Sequence, residues 1–238
     1  MRYLSAMMAI AGVVALTATA SPIVAGPIYT VSEVPGGMFQ NGSETVDIIR
    51  PVSETGLAGQ LTIQLTDAAG VMRTVQAYCT DIFDWLKLPT SFTRGLLSDT
   101  VTDATKLSQI NALYAHDNAG AMSADASAGL QMAIWEIENE TGTTVDYDVT
   151  AGAFAASGPS SVLALAKQDI LNVLNGIWKA DPRLTIYQIT AQGNQSLSYA
   201  EAVPEPGTLA IFGTGLALLI VLRRVRHSPS VGSGVIVG

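Results

Sequence analysis

Two apolar segments, one at each end and each flanked by charge, confine the part of this chain that can build a water-soluble core to the stretch between them. At the N-terminus Met1 and Arg2 precede an apolar stretch from Leu4 to Leu16, which runs into the small-x-small triplet Ala18-Thr19-Ala20. That order reads as a secretory signal peptide over residues 1–25, with cleavage near residue 20 or 25. At the other end Val203-Pro204-Glu205-Pro206-Gly207 leads into an uncharged run from Thr208 to Leu222, closed by Arg223, Arg224 and Arg226. As a helix, residues 208–222 would rise about 22 Å, against a hydrocarbon core of about 30 Å. A short transmembrane helix of that length suits transient retention; a permanent anchor in a tilted or thinned bilayer is the alternative. The arginines belong on the cytoplasmic side, which leaves the region between the two segments outside the membrane.

The three-part order from Val203 to Arg226, a proline-flanked acid followed by an apolar run and a basic cluster, resembles the PEP-CTERM sorting signal of exported proteins in Gram-negative bacteria. The resemblance implies a processing partner, the transpeptidase-like membrane enzyme exosortase. It also implies a precursor held in the membrane by residues 208–222 and a product at the cell surface or in the extracellular matrix. Residues 227–238 are left as a tail beyond the signal.

Between the two ends lie roughly 180 residues, enough for one domain with a real core. From Ser21 to Val203 there are 19 Asp plus Glu against 8 Lys plus Arg, and the basic residues are scattered. With no basic stripe to track a phosphate backbone, nucleic acid is excluded as a partner class. No internal repeat is present, and no segment is so polar that it must be disordered.

Hydropathy patterning gives a β-rich beginning, a helical middle and a β end. Leu61, Ile63 and Leu65 alternate with polar residues, and Val71 to Cys79 is a second β-prone run after the turn Asp67-Ala68-Ala69-Gly70, so the two form a hairpin. Leu107, Ile110, Leu113 and Tyr114 predict a helix over 103–115, with Asp103 as its cap. A second helix is expected from Ser123 or Asp125 to about Glu140, and a third from Ser160 or Ser161 to the Gly176 region. Strand alternation resumes at Arg183–Thr190 and Gln195–Ala202, with Gly193-Asn194 as the hairpin turn. Residues 28–53 are expected to hold further short strands without placed boundaries.

Cys79 is the single cysteine of the chain, so no intramolecular disulfide exists. In an exported protein a lone thiol can be a buried small hydrophobe, half of an intermolecular disulfide, a nucleophile, or a sulfur protected by another covalent bond.

Tyr78-Cys79-Thr80-Asp81, at the end of a predicted strand, and Leu130-Gln131-Met132-Ala133-Ile134-Trp135-Glu136, within the second helix, together resemble the bacterial thioester domain family. The resemblance implies that Cys79 supplies the sulfur and Gln131 the acyl carbon of an internal thioester, opened by a nucleophile on a target. Ala133, Ile134 and Trp135 match the rest of the glutamine motif; Leu130 stands where the family usually has threonine. On the helix Leu130, Ile134 and Ile137 make an apolar stripe, and Gln131, Trp135 and Glu138 repeat that spacing one residue round. This puts Gln131 at the edge of the stripe with Trp135 beside it, where the indole would keep water from an acyl–sulfur bond. Plain core filling is the other reading of Trp135.

The expected architecture is α+β: a β-sandwich or barrel-like sheet over residues 26–202 carrying an inserted helical subdomain, with Cys79 facing Gln131 where the two meet. The expected function is that of an exported, adhesin-like surface or matrix protein, bound covalently to amine-bearing targets if the thioester forms. The alternative is a structural biofilm or matrix protein in which it does not.

Nothing in the sequence calls for a cofactor, and an enzyme is not expected. Cys79 with His116 could be drawn as nucleophile and base, but no protease signature surrounds either residue. Asp81 with Asp84, Asp99 with Asp103 and Asp146 with Asp148 lack the spacing of a calcium loop and read as caps and loop carboxylates. His116 and His227 are the only histidines, too few for a zinc site.

Overall fold

The computed structural model describes residues 26–117, 122–141 and 147–203. The signal peptide, Asp146, the sorting segment from Pro204 onward with its apolar helix, and the tail all lie outside the described residues.

Six strands form a closed antiparallel barrel: β1 (Ile28–Glu33), β4 (Leu61–Thr66), β5 (Met72–Cys79), β9 (Asn194–Ala202), β8 (Leu184–Ala191) and β6 (Thr90–Leu96), in that spatial order. Closure comes from β1 pairing with β6, Tyr29 opposite Phe92. Paired residues share a face of the sheet, so the register defines the interior. Val31 stands opposite Leu65, Ile63 opposite Val75, and Ile189 opposite Leu197. Val31, Ile63, Leu65, Ile189 and Leu197 are fully buried and fill the barrel. Each such side chain contributes roughly 1.5–3 kcal/mol by leaving water.

A second sheet, ordered β3 (Glu54–Ala58), β2 (Glu44–Arg50), β7 (Ala155–Ser157), stands beside the barrel. Helices α1 (Ala104–Asp117), α2 (Ala124–Asn139) and α3 (Ser160–Leu174), together with β7, all fall between the barrel neighbours β6 and β8. The helical unit is therefore an insertion, as expected, and the sheet is a barrel with a small accessory sheet instead of a sandwich. The fold is mostly β, with three helices among the described residues.

The hairpin of β4 and β5 and the three helices lie where the patterning put them. Ser123 caps α2 by accepting from Ala126 N, and Asp103 accepts from the N–H groups of Thr105 and Lys106 at the start of α1. Two expectations need correction. The final hairpin turns on Gln192-Gly193, not Gly193-Asn194: Asn194 is already paired with Ala191, and Gly193 supplies the positive φ (+66°) of the turn. The amphipathic reading of α2 also fails. This helix is buried on every side from Ser127 to Ile137, Glu136 included, so Gln131 occupies the interior and not the edge of a stripe. Short strands β3, β6 and β7 carried too little alternation to be placed from sequence.

Gly129 explains how α2 can be so enclosed. A Cβ there would stand 2.9 Å from Leu165 Cβ and 3.1 Å from Ala166 N, so α3 crosses directly over its backbone.

Candidate functional site

Cys79 is the last residue of β5, held by its pairing with Leu197 and by the bond from Thr80 N to Ser196 O that continues the ladder. Outside this corner, Tyr114 of α1 donates to Ser198 O at 2.8 Å, and the Tyr78 hydroxyl donates to Asp117 at 3.0 Å. Gln60 Nε2 donates to both oxygens of Asp117, at 2.7 and 2.8 Å. Burial of Asp117 pushes its carboxyl up to about 6 in spite of these bonds. Helix α1 is thereby locked to the strand that ends in Cys79.

Helix α2 closes the same mouth of the barrel. Gln131 Oε1 accepts the Cys79 N–H at 2.9 Å, and Gln131 Nε2 donates to Cys79 O at 2.7 Å. Residues 52 positions apart are thus joined by a two-bond ring, and both are nearly inaccessible to water, at 6% and 1% exposure. The carboxamide replaces a missing strand partner at the end of β5.

A cavity of about 280 Å³ opens onto the Cys79 side of this pair, walled by Leu61, Ile82, Trp85, Leu86 and Trp135. Gln131 is not among the residues lining it, so a molecule entering meets Cys79 first. Trp135 is buried, 6.4 Å from the ring of Phe154, and its Nε1 has no hydrogen-bond partner among the described residues. At the rim Phe83 and Trp85 are more than half exposed. Both lie in the loop just after Cys79, a signal the sequence held in Asp81-Ile82-Phe83-Asp84-Trp85.

The site is electrically unfriendly to a thiolate. Burial, and after it the charge of Asp81, push the Cys79 thiol up to about 12. Burial also pushes Glu138 up to about 8, with Asp81 adding to the shift and Lys106 opposing it. Sequence reasoning named Glu138 only as a face-mate of Gln131; the residue is half-buried, and its Oε2 is enclosed with no hydrogen-bond partner among the described residues.

Other candidates are placed elsewhere. His116 stacks on Trp178 at 3.5 Å between centroids, and no hydrogen bond joins it to Cys79. Asp81 accepts from Phe83 N, Asp99 from Leu96 N and Asp148 from Thr150 N. These are turn-forming bonds, and no cluster of three metal-ligating side chains exists among the described residues.

At the opposite mouth β9 ends at Ala202, and Val203 N donates to Arg183 O at 2.6 Å. The chain then enters the segment whose order suggested sorting. Residues 202–226 match the PEP-CTERM protein-sorting motif. The PEP-CTERM motif therefore begins on the last residue of the barrel, with no spacer, and marks the protein as exported and surface-associated.

No curated protein matches the chain. Among solved structures it is similar to the N-terminal domain of the pilus tip adhesin Cpa of Streptococcus pyogenes, with 16% identity and a TM-score of 0.43 over 77% of this chain and 97% of that one. It is also similar to the thioester domain of the Staphylococcus aureus TIE protein, with 10% identity and a TM-score of 0.40 over 72% and 92%. A third is the N-terminal thioester domain of a Clostridium perfringens surface protein, with 12% identity and a TM-score of 0.39 over 60% and 89%. Among the described residues no helix is long and apolar enough to cross a membrane.

Proposed function

We propose that Cys79 and Gln131 condense into an internal thioester, and that the protein is an exported adhesin-like surface molecule attaching covalently to amine-bearing targets. The observation that carries this reading is the two-bond ring between the Gln131 carboxamide and the Cys79 backbone. It holds the acyl carbon beside the residue whose sulfur must reach it, removing the orientational cost of the encounter.

In the condensation the Cys79 sulfur attacks Gln131 Cδ and a C–S bond forms. The Cys79 N–H, already directed at Oε1, stabilises the oxyanion of the tetrahedral intermediate. The C–N bond then breaks, and Nε2 takes the thiol proton and leaves as ammonia. In the reverse sense a primary amine entering past Trp85 attacks the acyl carbon, the C–S bond breaks, and a stable amide joins target to Gln131. Because burial disfavours the Cys79 thiolate, the sulfur must leave with a proton. No turnover follows, so the chain acts once and not as an enzyme. Trp135, on the cavity wall with Cys79, would limit water at the bond.

A second reading has an observation of its own. The intact carboxamide already satisfies both backbone groups of Cys79, so the pair is stable without reaction and could serve a purely structural matrix protein. Intact mass of the purified domain decides between them. The thioester reading expects a mass one ammonia below the sequence, no thiol labelling while folded, and gain of one methylamine on treatment. Full mass with no methylamine uptake would leave the structural reading. After export, exosortase is the expected processing enzyme and the cell surface or matrix the destination, with peptides from native surface protein ending near Glu205 or Pro206.

A further inference from the structure

We propose that the barrel mouth opposite Cys79 is a bilayer-docking face, which seats the precursor on the lipid headgroups with its reactive corner pointing away from the membrane. The inference rests on the reading that the apolar run 208–222 enters the membrane, and adds to it which surface of the folded domain meets the lipid.

The first argument is reach. Only Pro204 to Gly207 separate Val203, still hydrogen-bonded to Arg183, from the apolar run at Thr208. Five Cα steps span at most about 18 Å when fully extended. One headgroup layer occupies roughly 5–7 Å of that. The mouth that releases β9 therefore cannot stand far from the bilayer while the run is inserted. The other chain end leaves from the same mouth: β1 starts at Ile28, and Arg94 N, near the end of β6, donates to Pro27 O. Both apolar segments of the precursor thus connect to one side of the barrel.

The second argument is the surface itself. Five of the exposed large apolar residues lie at this mouth: Ile28 at 59%, Val71 at 62%, Met72 at 63%, Leu96 at 42% and Val203 at 46%. They come from different parts of the chain, at the start of β1, the β4–β5 turn, the end of β6 and the end of β9. Inside this rim the barrel is plugged by Arg73 and Arg94, both paired with Glu201, with Arg94 lying 3.4 Å from the ring centre of Tyr187. An apolar rim of this kind is the surface that settles at the headgroup level, while Arg73 and Arg94 keep their pairing with Glu201 inside the barrel. Acidic Glu201, Asp181 and Asp67 offset the arginines, so burial of the apolar rim and the tether, not net charge, would hold the face down.

Orientation follows from the strand. Cys79 and Met72 are the two ends of β5, about 23 Å apart along the strand and on the order of 15–20 Å apart along the barrel axis once the tilt is allowed for. Seating Met72 on the lipid lifts Cys79, Phe83 and Trp85 to the far side, where a target on another surface can reach them.

The test is depth-dependent quenching of an environment-sensitive dye on the full chain, reconstituted into phosphatidylethanolamine–phosphatidylglycerol vesicles containing nitroxide lipid. The dye is placed on Met72→Cys or on Phe83→Cys in a Cys79→Ala background. Quenching at position 72 at least about threefold stronger than at 83 is expected from insertion of the rim. Equal quenching at both sites, or none at either while the chain floats with the vesicles, would overturn the docking and leave membrane retention standing. A chain that does not float would overturn the retention and the docking with it. As a second measure, Ile28→Ser, Val71→Ser and Met72→Ser together should abolish most of the quenching of a dye on Leu96→Cys while flotation persists; unchanged quenching would show that the tether alone sets the approach, against the proposal.

Discussion

The Gln131 side chain lies edge to edge with the Cys79 backbone, accepting its N–H at 2.9 Å and donating to its carbonyl at 2.7 Å. The energetic weight of the pair therefore sits on the carboxamide, not on the thiol. Gln131→Ala would leave a buried N–H and a buried C=O without partners, at about 1–3 kcal/mol each. Relative to the unreacted domain, Cys79→Ala keeps both bonds and removes one small apolar group, at about 1 kcal/mol. Urea unfolding of the two variants should show that order, and equal losses would contradict the geometry.

Trp135 should tolerate loss of its nitrogen but not of its bulk. Its Nε1 has no partner among the described residues, so Trp135→Phe is expected to cost less than about 1.5 kcal/mol. Trp135→Ala empties the wall between Phe154 and the cavity and should cost about 3–5 kcal/mol. If the thioester forms, only the alanine variant should lose it to water faster, measured by the regain of thiol labelling over time.

Gly129→Ala runs against the usual rule that alanine stabilises a helix by up to about 1 kcal/mol over glycine. With Leu165 Cβ at 2.9 Å and the α3 backbone at 3.1 Å from the new methyl, the helices must separate. The expected net effect is a loss of about 1–3 kcal/mol from overpacking. A thermal midpoint at or above that of the parent would show that α2 and α3 cross less tightly than described.

Stability should rise on mild acidification. Burial raises the carboxyls of Asp117 to about 6, Asp169 to about 7 and Glu138 to about 8. A carboxyl raised by folding binds its proton more tightly in the native state, so its contribution is complete below the unfolded value and is lost as pH climbs through the folded one. The urea midpoint should accordingly fall as pH climbs from about 4, the unfolded carboxyl value, through about 8. Asp169→Asn should flatten part of that slope and raise the midpoint at pH 8; an unchanged slope would mean that Asp169 stays ionised in the fold.

Much of this protein was legible in one dimension because the signals are local. The three helices announced themselves by spacing, α1 and α2 also by the caps Asp103 and Ser123, and the β4–β5 hairpin by alternation around Asp67-Ala68-Ala69-Gly70. The sorting motif needs no tertiary context at all, since the match over residues 202–226 is to a linear order of residues. The pairing of Cys79 with Gln131 was suggested by two short motifs resembling a known family and by a lone cysteine, not by any pattern linking the two positions. What the tertiary structure decided is non-local. Closure of the barrel by β1 and β6, the burial of α2 on all sides, and the gathering of Ile28, Val71, Met72, Leu96 and Val203 on one mouth depend on which distant segments pack together. Periodicity reports only the face that a single element buries. A helix enclosed by a barrel, an accessory sheet and two other helices has no second face to report, and so Gln131 looked peripheral in sequence and is central in space.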